Sequence, residues 1–147
     1  MIPAYRSDSI SIGSLKLGGN EPVRIQSMTN TDTNNIDASV DQCIRMINAG
    51  AHMVRLTTQG TREVKSLIKI KDRLRSLGHH TPVVADIHFK PGLAADAARV
   101  ADKIRINPGN YLKGGSVETL LPNLIHICKQ HNTSIPVSYT HLTLPTN

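Results

Sequence analysis

Short apolar runs begin near Val23, Met53, Val83, Ile104 and Ile135, and a helix-like segment fills each gap between them. A spacing of about 20 to 30 residues is what a strand, a helix and a return to the next strand require. Strand and helix in regular alternation specify a parallel sheet with helices against it. The first helix is expected to take Asp37 as its N-cap, to carry Val40, Ile44 and Ile47 on one face, and to stop at Gly50. The second runs from Thr61 to Leu77 with Val64, Leu67, Ile68, Leu74 and Leu77 inward, and ends at Gly78. The third, after Pro91, offers Leu93, Ala94, Ala97, Ala98 and Ala101, a small-residue face that can lie close to a sheet. The fourth lies within Ser116 to His131 and buries Leu120, Leu124, Ile127 and Cys128, with Pro122 leaving its start open. Ahead of these, SISIGSLKLGG alternates apolar residues about Gly13-Ser14, the pattern of a β-hairpin with a two-residue turn.

Side-chain parity selects among parallel-sheet folds. Read with period two, one face of the strands carries Val23 and Ile25, Val54 and Leu56, Ala85, Ile87 and Phe89, and Ile104 and Ile106, all suited to covering helices. The other carries Arg24, Gln26 and Met28; Met53, Arg55 and Thr57; Val84, Asp86 and His88; and Lys103, Arg105 and Asn107. An open doubly wound sheet needs apolar residues on both faces, whereas a (β/α)8 TIM barrel lines the mouth of its interior with polar groups. The expectation is therefore an α/β chain forming part of such a barrel, about four strand-helix units after an N-terminal hairpin. Residues 1–20 form the hairpin segment, 21–136 the truncated barrel and 137–147 a tail of a different character.

The composition agrees. A chain of 147 residues suits one domain with a real core. With 3% aromatic residues and no Trp, that core has to be aliphatic. Cys43 and Cys128 lack metal-ligand spacing and are expected as small buried apolar residues. No apolar run is long enough to span a membrane, and MIPAYRSDSI lacks the apolar centre of a signal peptide, so a cytoplasmic setting is expected. The formal charge of +6 admits a polyanionic partner, but no basic run interleaved with aromatics argues for nucleic acid.

Arg24, Arg55, Lys103 and Arg105 are expected to face inward with Asp86 as the inward carboxylate. Several buried cations are costly unless water or an anion meets them, and planar guanidinium forks favour phosphate. Arg24 and Lys103, nearer the strand starts, are expected to pair with acids and stabilise the barrel, while Arg55 and Arg105 are expected to meet the ligand. Asp86 and His88 share a face two residues apart, so the carboxylate can orient the ring. In RINPGN, Pro108-Gly109 turns the chain just past the fourth barrel strand and leaves Asn107 at the rim.

The segments PVRIQSMTNTDT (Pro22 to Thr33), VADIHF (Val84 to Phe89) and KIRINPGNY (Lys103 to Tyr111) resemble, in this order and spacing, the N-terminal barrel of the (E)-4-hydroxy-3-methylbut-2-enyl diphosphate synthase family of the non-mevalonate isoprenoid pathway. The resemblance runs from Tyr5 to Pro136. It implies an oxidoreductase whose barrel holds 2-C-methyl-D-erythritol 2,4-cyclodiphosphate, with Arg55, His88, Arg105 and Asn107 as substrate-binding residues and Asp86 orienting His88. It further implies a [4Fe-4S] cluster carried by a separate C-terminal domain, flavodoxin or ferredoxin as electron donor, and a homodimer at full length. Cys43 and Cys128 do not fall at cluster-ligand positions, no catalytic or metal-binding residue is located in this chain, and by itself it is expected to be inactive.

A complete barrel needs eight strand-helix units and about 250 residues. The segment SYTHLTLPTN after Val137 continues neither period and reads as a translated sequencing-library adapter. Two other readings stay open: a dihydropteroate synthase-like barrel, which also binds a diphosphate at its mouth, and a non-enzymatic polyanion-binding fragment.

Overall fold

The computed structural model describes residues 7–88, 91–107 and 117–135. The hairpin forms first: β1 (Ile10–Ile12) pairs antiparallel with β2 (Leu15–Leu17), and Gly13 between them sits at φ 57°. A positive φ at the first turn position is what keeps the two strands in their shared twist, and glycine reaches it without a Cβ clash.

The chain then alternates as expected: β3 (Gln26–Met28), α1 (Ile36–Asn48), β4 (Met53–Thr58), α2 (Thr61–Ser76), β5 (Val83–Ile87), α3 (Pro91–Ala98), β6 (Lys103–Ile106) and α4 (Val117–His131). The four strands form one parallel sheet in the order β3-β4-β5-β6. Beyond it, Ser134 makes a parallel bridge to Lys103, the first contact of a further strand in the same direction. The sheet does not close, and the architecture is a partial barrel.

The helices form where their local chemistry allows. Asn35 caps α1, its side-chain oxygen accepting from the Ala38 N–H at 3.2 Å, two residues before the expected cap. Asp37 instead sits in the first turn, where a carboxylate favours the helix dipole, and pairs with Arg73 of α2. Gly50 and Gly78, both at positive φ, follow the ends of α1 and α2 as expected. In α2 the buried apolar line is Val64, Leu67, Ile70 and Leu74, spaced three, three and four. Ile68 and Leu77, expected inward, are exposed, and Ile70 takes the inward place because it lies on the same stripe as Leu67 and Leu74. The α3 face is as expected, with Leu93, Ala94, Ala97, Ala98 and Ala101 all buried. Leu124, Ile127 and Cys128 of α4 are buried with Leu120 partly so, and the helix accommodates Pro122 inside its span.

Register fixes the two faces of the sheet. Outward, Leu56, Ala85 and Ile104 form one row and Ile87 pairs with Ile106 beside it. These residues join the helices in the main core, where each fully buried Leu or Ile contributes about 1.5 to 3 kcal/mol. Inward, Met53 and Val84 meet Ile12, Leu15 and Leu17, so the hairpin plugs the strand starts with a second, smaller apolar cluster. The strand ends are left to polar residues.

The first barrel strand departs from expectation. Val23 and Ile25 do not reach the helices: they are 90% and 56% exposed, and β3 begins only at Gln26. Among the described residues β3 has one neighbour, β4, so nothing covers the approach to it. Phe89, the Pro108-Gly109 turn, most of the expected fifth strand and residues 137–147 lie outside the described residues.

Candidate anion site on the inner face

Two inward rows cross the sheet, the second nearer the strand ends than the first. In one, Met28, Arg55, Val84 and Lys103 are neighbours; in the next, Thr57, Asp86 and Arg105. Because alternate residues of neighbouring parallel strands point the same way, these side chains converge on one face. Asp86 lies at the centre. Its Oδ2 accepts from Arg55 Nη2 at 2.6 Å and its Oδ1 from Arg105 Nη1 at 3.1 Å. The Asp86 side chain is 2% exposed, against 21% for Arg55 and 35% for Arg105. The acid is therefore buried beneath two guanidinium groups that still reach solvent.

Charge on this face is unbalanced. Asp86 is the one acid in the four parallel strands, and Arg55, Lys103 and Arg105 stand against it. Arg55 Nε is buried without a hydrogen-bond partner among the described residues. A buried donor of that kind costs on the order of 1 to 3 kcal/mol unless something accepts from it. The Lys103 ammonium donates to Gln26 Oε1 at 3.4 Å. Burial, and secondarily the charge of Arg55, hold its pKa below the ordinary lysine value. One carboxylate thus stands against three cations on this face.

The expected residues sort into three groups. Arg55, Asp86 and Arg105 come together in direct contact. His88 follows the end of β5 and Asn107 the end of β6, both half-buried and both engaged in interactions of their own, at the strand ends that the inward rows approach. Arg24 is not part of the face: its Nε donates to the Lys16 carbonyl at 2.9 Å and its guanidinium pairs with Glu21 at 2.9 Å, tying the chain to the hairpin. Parity counted backward from Gln26 put it inside, but the strand does not extend that far. Lys103 stands in the inner row as expected, but its described bond goes to the Gln26 amide and not to an acid. The expected partnership of Asp86 with His88 is joined by two arginines, which hold both carboxylate oxygens.

A polar hollow of about 300 Å³ opens beside these rows, lined by Asn30, Thr31, Asp32, Thr33, Thr57, Gln59 and Glu63. Thr33 Oγ1 donates to the Thr57 carbonyl at 2.7 Å, and Asn34 bridges Glu63 and Ser66. The segment PVRIQSMTNTDT carries the family resemblance, but no site residue was expected in this loop, although the polar run TNTDTNN between β3 and α1 was its signal. A larger hollow of about 680 Å³ lies at the other end, between the hairpin and the end of α4, away from the arginines.

The fold and site define a class: a parallel α/β barrel segment with a cation-rich inner face. Comparison with known proteins narrows this. Residues 7–144 match the family described as the GcpE TIM-barrel domain, and the chain belongs to that family. Among curated relatives, 4-hydroxy-3-methylbut-2-en-1-yl diphosphate synthase (flavodoxin) of Phocaeicola vulgatus is 44% identical across 94% of this chain and 25% of its own length. The enzyme of the same name from Porphyromonas gingivalis is 52% identical across 69% of this chain and 18% of its own length. The chloroplastic (ferredoxin) enzyme of Arabidopsis thaliana is 33% identical across 95% of this chain and 21% of its own. The chain thus spans about a quarter of the length of the curated relatives it matches. Among solved structures, 7,8-dihydropteroate synthase of Vibrio fischeri superposes with a TM-score of 0.63 at 16% identity, over 96% of this chain and 53% of that one. At that identity the likeness is one of fold, and it agrees with a barrel architecture.

Proposed function

We propose that this chain is the N-terminal, substrate-binding half-barrel of a 4-hydroxy-3-methylbut-2-enyl diphosphate synthase, the enzyme that reductively opens 2-C-methyl-D-erythritol 2,4-cyclodiphosphate. The observation that carries this reading is the Arg55–Asp86–Arg105 arrangement, with cations in excess and Arg55 Nε buried without an acceptor among the described residues. Each guanidinium has five N–H donors in a fixed plane, and Asp86 takes one from each in the bonds described. The donors left over can bind phosphate oxygens in pairs. Asp86 spaces the two forks across adjacent strands, while His88 and Asn107 at the strand ends bind the diphosphate and hydroxyl groups of the sugar-derived ring. Asp86 also orients His88.

These residues bind and orient; they do not supply electrons. Cys43 and Cys128 are poor candidates for a [4Fe-4S] cluster. Both are buried, on α1 and α4, and burial pushes their thiols up to about 12 and about 11, far from the thiolate that iron requires. Among the described residues no group of three or more His, Cys, Asp or Glu is arranged to hold a metal ion. The cluster is assigned to the part of the longer protein outside this chain, with flavodoxin or ferredoxin, the words in the relatives' names, as electron donor. We assign the full-length protein to the cytoplasm as a homodimer; no helix among the described residues is long and apolar enough to cross a membrane. The half-barrel alone is inactive.

Calorimetric titration of the full-length protein with the cyclic diphosphate tests the reading. Arg105→Ala should weaken binding by about 1.5 to 3 kcal/mol, the worth of a charged hydrogen bond. Unchanged affinity would remove Arg105 from the site.

A further inference from the structure

We infer that the polar hollow between the β3–α1 loop and the start of α2 is a hydroxyl-binding subsite, which takes the alcohol groups of a phosphorylated polyol whose phosphate lies on the arginine face. The inference deepens the reading of the inner face as a diphosphate site and rests on it.

The register sets the hollow beside the arginines. Thr57, one of its lining residues, stands next to Asp86 in the inner row, with Arg105 beyond on β6. Arg55 precedes Thr57 by two residues on β4, so both leave the strand on the same side. Neighbouring strands lie about 4.8 Å apart, and alternate residues of one strand about 6.6 Å. A small polyol phosphate spans such distances, and a hollow of about 300 Å³ admits its unphosphorylated end. Asn30 and Gln59 follow the ends of β3 and β4, so the hollow opens at the strand ends, away from the hairpin plug.

Its walls are fixed by three elements. Gln42 of α1 accepts from the Asn30 and Thr31 N–H groups at 3.1 and 3.2 Å, and its amide donates to Asn30 Oδ1 at 2.7 Å. Ser39, also of α1, bonds the Thr31 hydroxyl and the Asp32 carbonyl, each at 3.0 Å. From β4 the Thr57 carbonyl accepts from Thr33, and from α2 Glu63 and Ser66 hold Asn34. Ordering these loop residues in advance costs chain entropy that a ligand then does not have to supply.

What the walls leave over is mostly acceptor. Asp32 Oδ1 accepts from the Asn34 N–H at 2.9 Å and Glu63 Oε1 from the Asn34 amide, so each carboxylate keeps one oxygen without a partner among the described residues. A Cβ added at Gly60 would lie 3.0 Å from Glu63 Oε2, so the glycine leaves that oxygen its place. Gln59 is exposed and makes no hydrogen bond among the described residues. Two carboxylates repel the phosphate that the arginines attract, and they accept from a hydroxyl more strongly than neutral oxygens do. No third His, Cys, Asp or Glu among the described residues joins them as a metal site. Neutral donors, alcohols, match this lining. Phosphate thus goes to the guanidinium groups and alcohol to the hollow. In the cyclic diphosphate, the erythritol skeleton has two oxygens in the phosphate ring and two free as hydroxyls. His88 and Asn107 approach these from β5 and β6, the hollow from β3 and β4.

The test titrates the full-length protein calorimetrically with the cyclic diphosphate, glycerol 3-phosphate and propyl phosphate, which lacks the hydroxyls of the second probe. The wild type should bind glycerol 3-phosphate about tenfold more tightly than propyl phosphate. Glu63→Gln keeps an oxygen for Asn34 and removes the charge. It should weaken the cyclic diphosphate and glycerol 3-phosphate about tenfold and leave propyl phosphate within about threefold. Gln59→Leu, at a residue no described bond ties to the fold, should weaken the same two probes about threefold to tenfold, again sparing propyl phosphate. Equal loss for all three probes, or cyclic diphosphate affinity unchanged in both variants, overturns the inference. If the cyclic diphosphate does not bind, while glycerol 3-phosphate keeps its advantage over propyl phosphate and loses it in Glu63→Gln, the functional reading fails and the inference stands. If the cyclic diphosphate binds and neither variant changes its affinity, the reading stands and the inference falls; if none of the three binds, both fall.

Discussion

Two aspartates, Asp86 and Asp102, each sit between a pair of cations, at opposite ends of the sheet, and they are built differently. Asp102, just before β6, accepts from Lys71 Nζ at 2.9 Å, from Arg75 Nη2 at 3.2 Å and from the Val83 N–H at 2.9 Å. Its cations are satisfied elsewhere too: Lys71 donates to the Val100 carbonyl, and Arg75 to the carbonyls of His79 and Thr81. Through its backbone, Asp102 also joins β5 and the strand beginning at Ser134. Every described partner finds an acceptor, and the node ties α2, β5 and β6 together. Around Asp86 the described bonds run only between side chains, Arg55 Nε is left over, and burial and Arg55 hold the Lys103 pKa below the ordinary lysine value. The same ratio of one acid to two cations thus serves as a closed joint at the strand starts and as an open one at the strand ends. In barrels the strand-start end is the stability face and the strand-end face carries chemistry.

The contrast can be broken by substitution. Asp102→Asn should cost about 3 kcal/mol of stability, as expected when one partner of a buried charge network is removed. Asp86→Asn should cost less, about 1 to 2 kcal/mol, since its described bonds are to two side chains, whereas Asp102 also holds the Val83 N–H. Urea unfolding of the two variants checks this, and equal losses would make the Asp86 node a structural joint as well. Ile12→Ala should cost about 2 to 3 kcal/mol by opening a cavity under the hairpin, with anion affinity nearly unchanged because the plug lies at the other end. A large drop in affinity would couple the two ends.

Smaller effects sharpen the picture of the open node. Arg55→Lys keeps the charge and loses the planar fork, so binding of the cyclic diphosphate should weaken by about 1 kcal/mol, less than in Arg55→Ala. A lysine that restores full affinity would mean that point charge, not fork geometry, is recognised. The smallest effect concerns pH. Because the folded-state pKa of Lys103 lies below the unfolded value, the unfolded chain holds more protons between the two, and stability rises with pH across that window. Lys103→Met should flatten this alkaline rise in a series of melts.

Much of the fold was legible because side-chain period reports direction. The outward row of Leu56, Ala85 and Ile104, the inward row of Asp86 and Arg105, and the alanine face of α3 all follow from counting by two or by three and four. Counting does not say where a strand begins. Val23, Arg24 and Ile25 continue the alternation of β3, yet with a single neighbouring strand among the described residues the chain there bends to the hairpin instead. Nor does it say which neighbour a long side chain reaches. Asp86 and His88 lie two residues apart in sequence, but register sets guanidinium groups from the two flanking strands on the carboxylate. Such cross-strand contacts depend on pairing between segments about 20 to 30 residues apart, which one strand read alone does not contain.

The most direct measurement is a crystal structure of the full-length protein with 2-C-methyl-D-erythritol 2,4-cyclodiphosphate bound. Phosphate oxygens within hydrogen-bonding distance of both Arg55 and Arg105, on the inner face beside Asp86, are the expected result. A ligand seated away from these two guanidinium groups, with the Arg55–Asp86–Arg105 contacts closed beneath empty solvent, would contradict it.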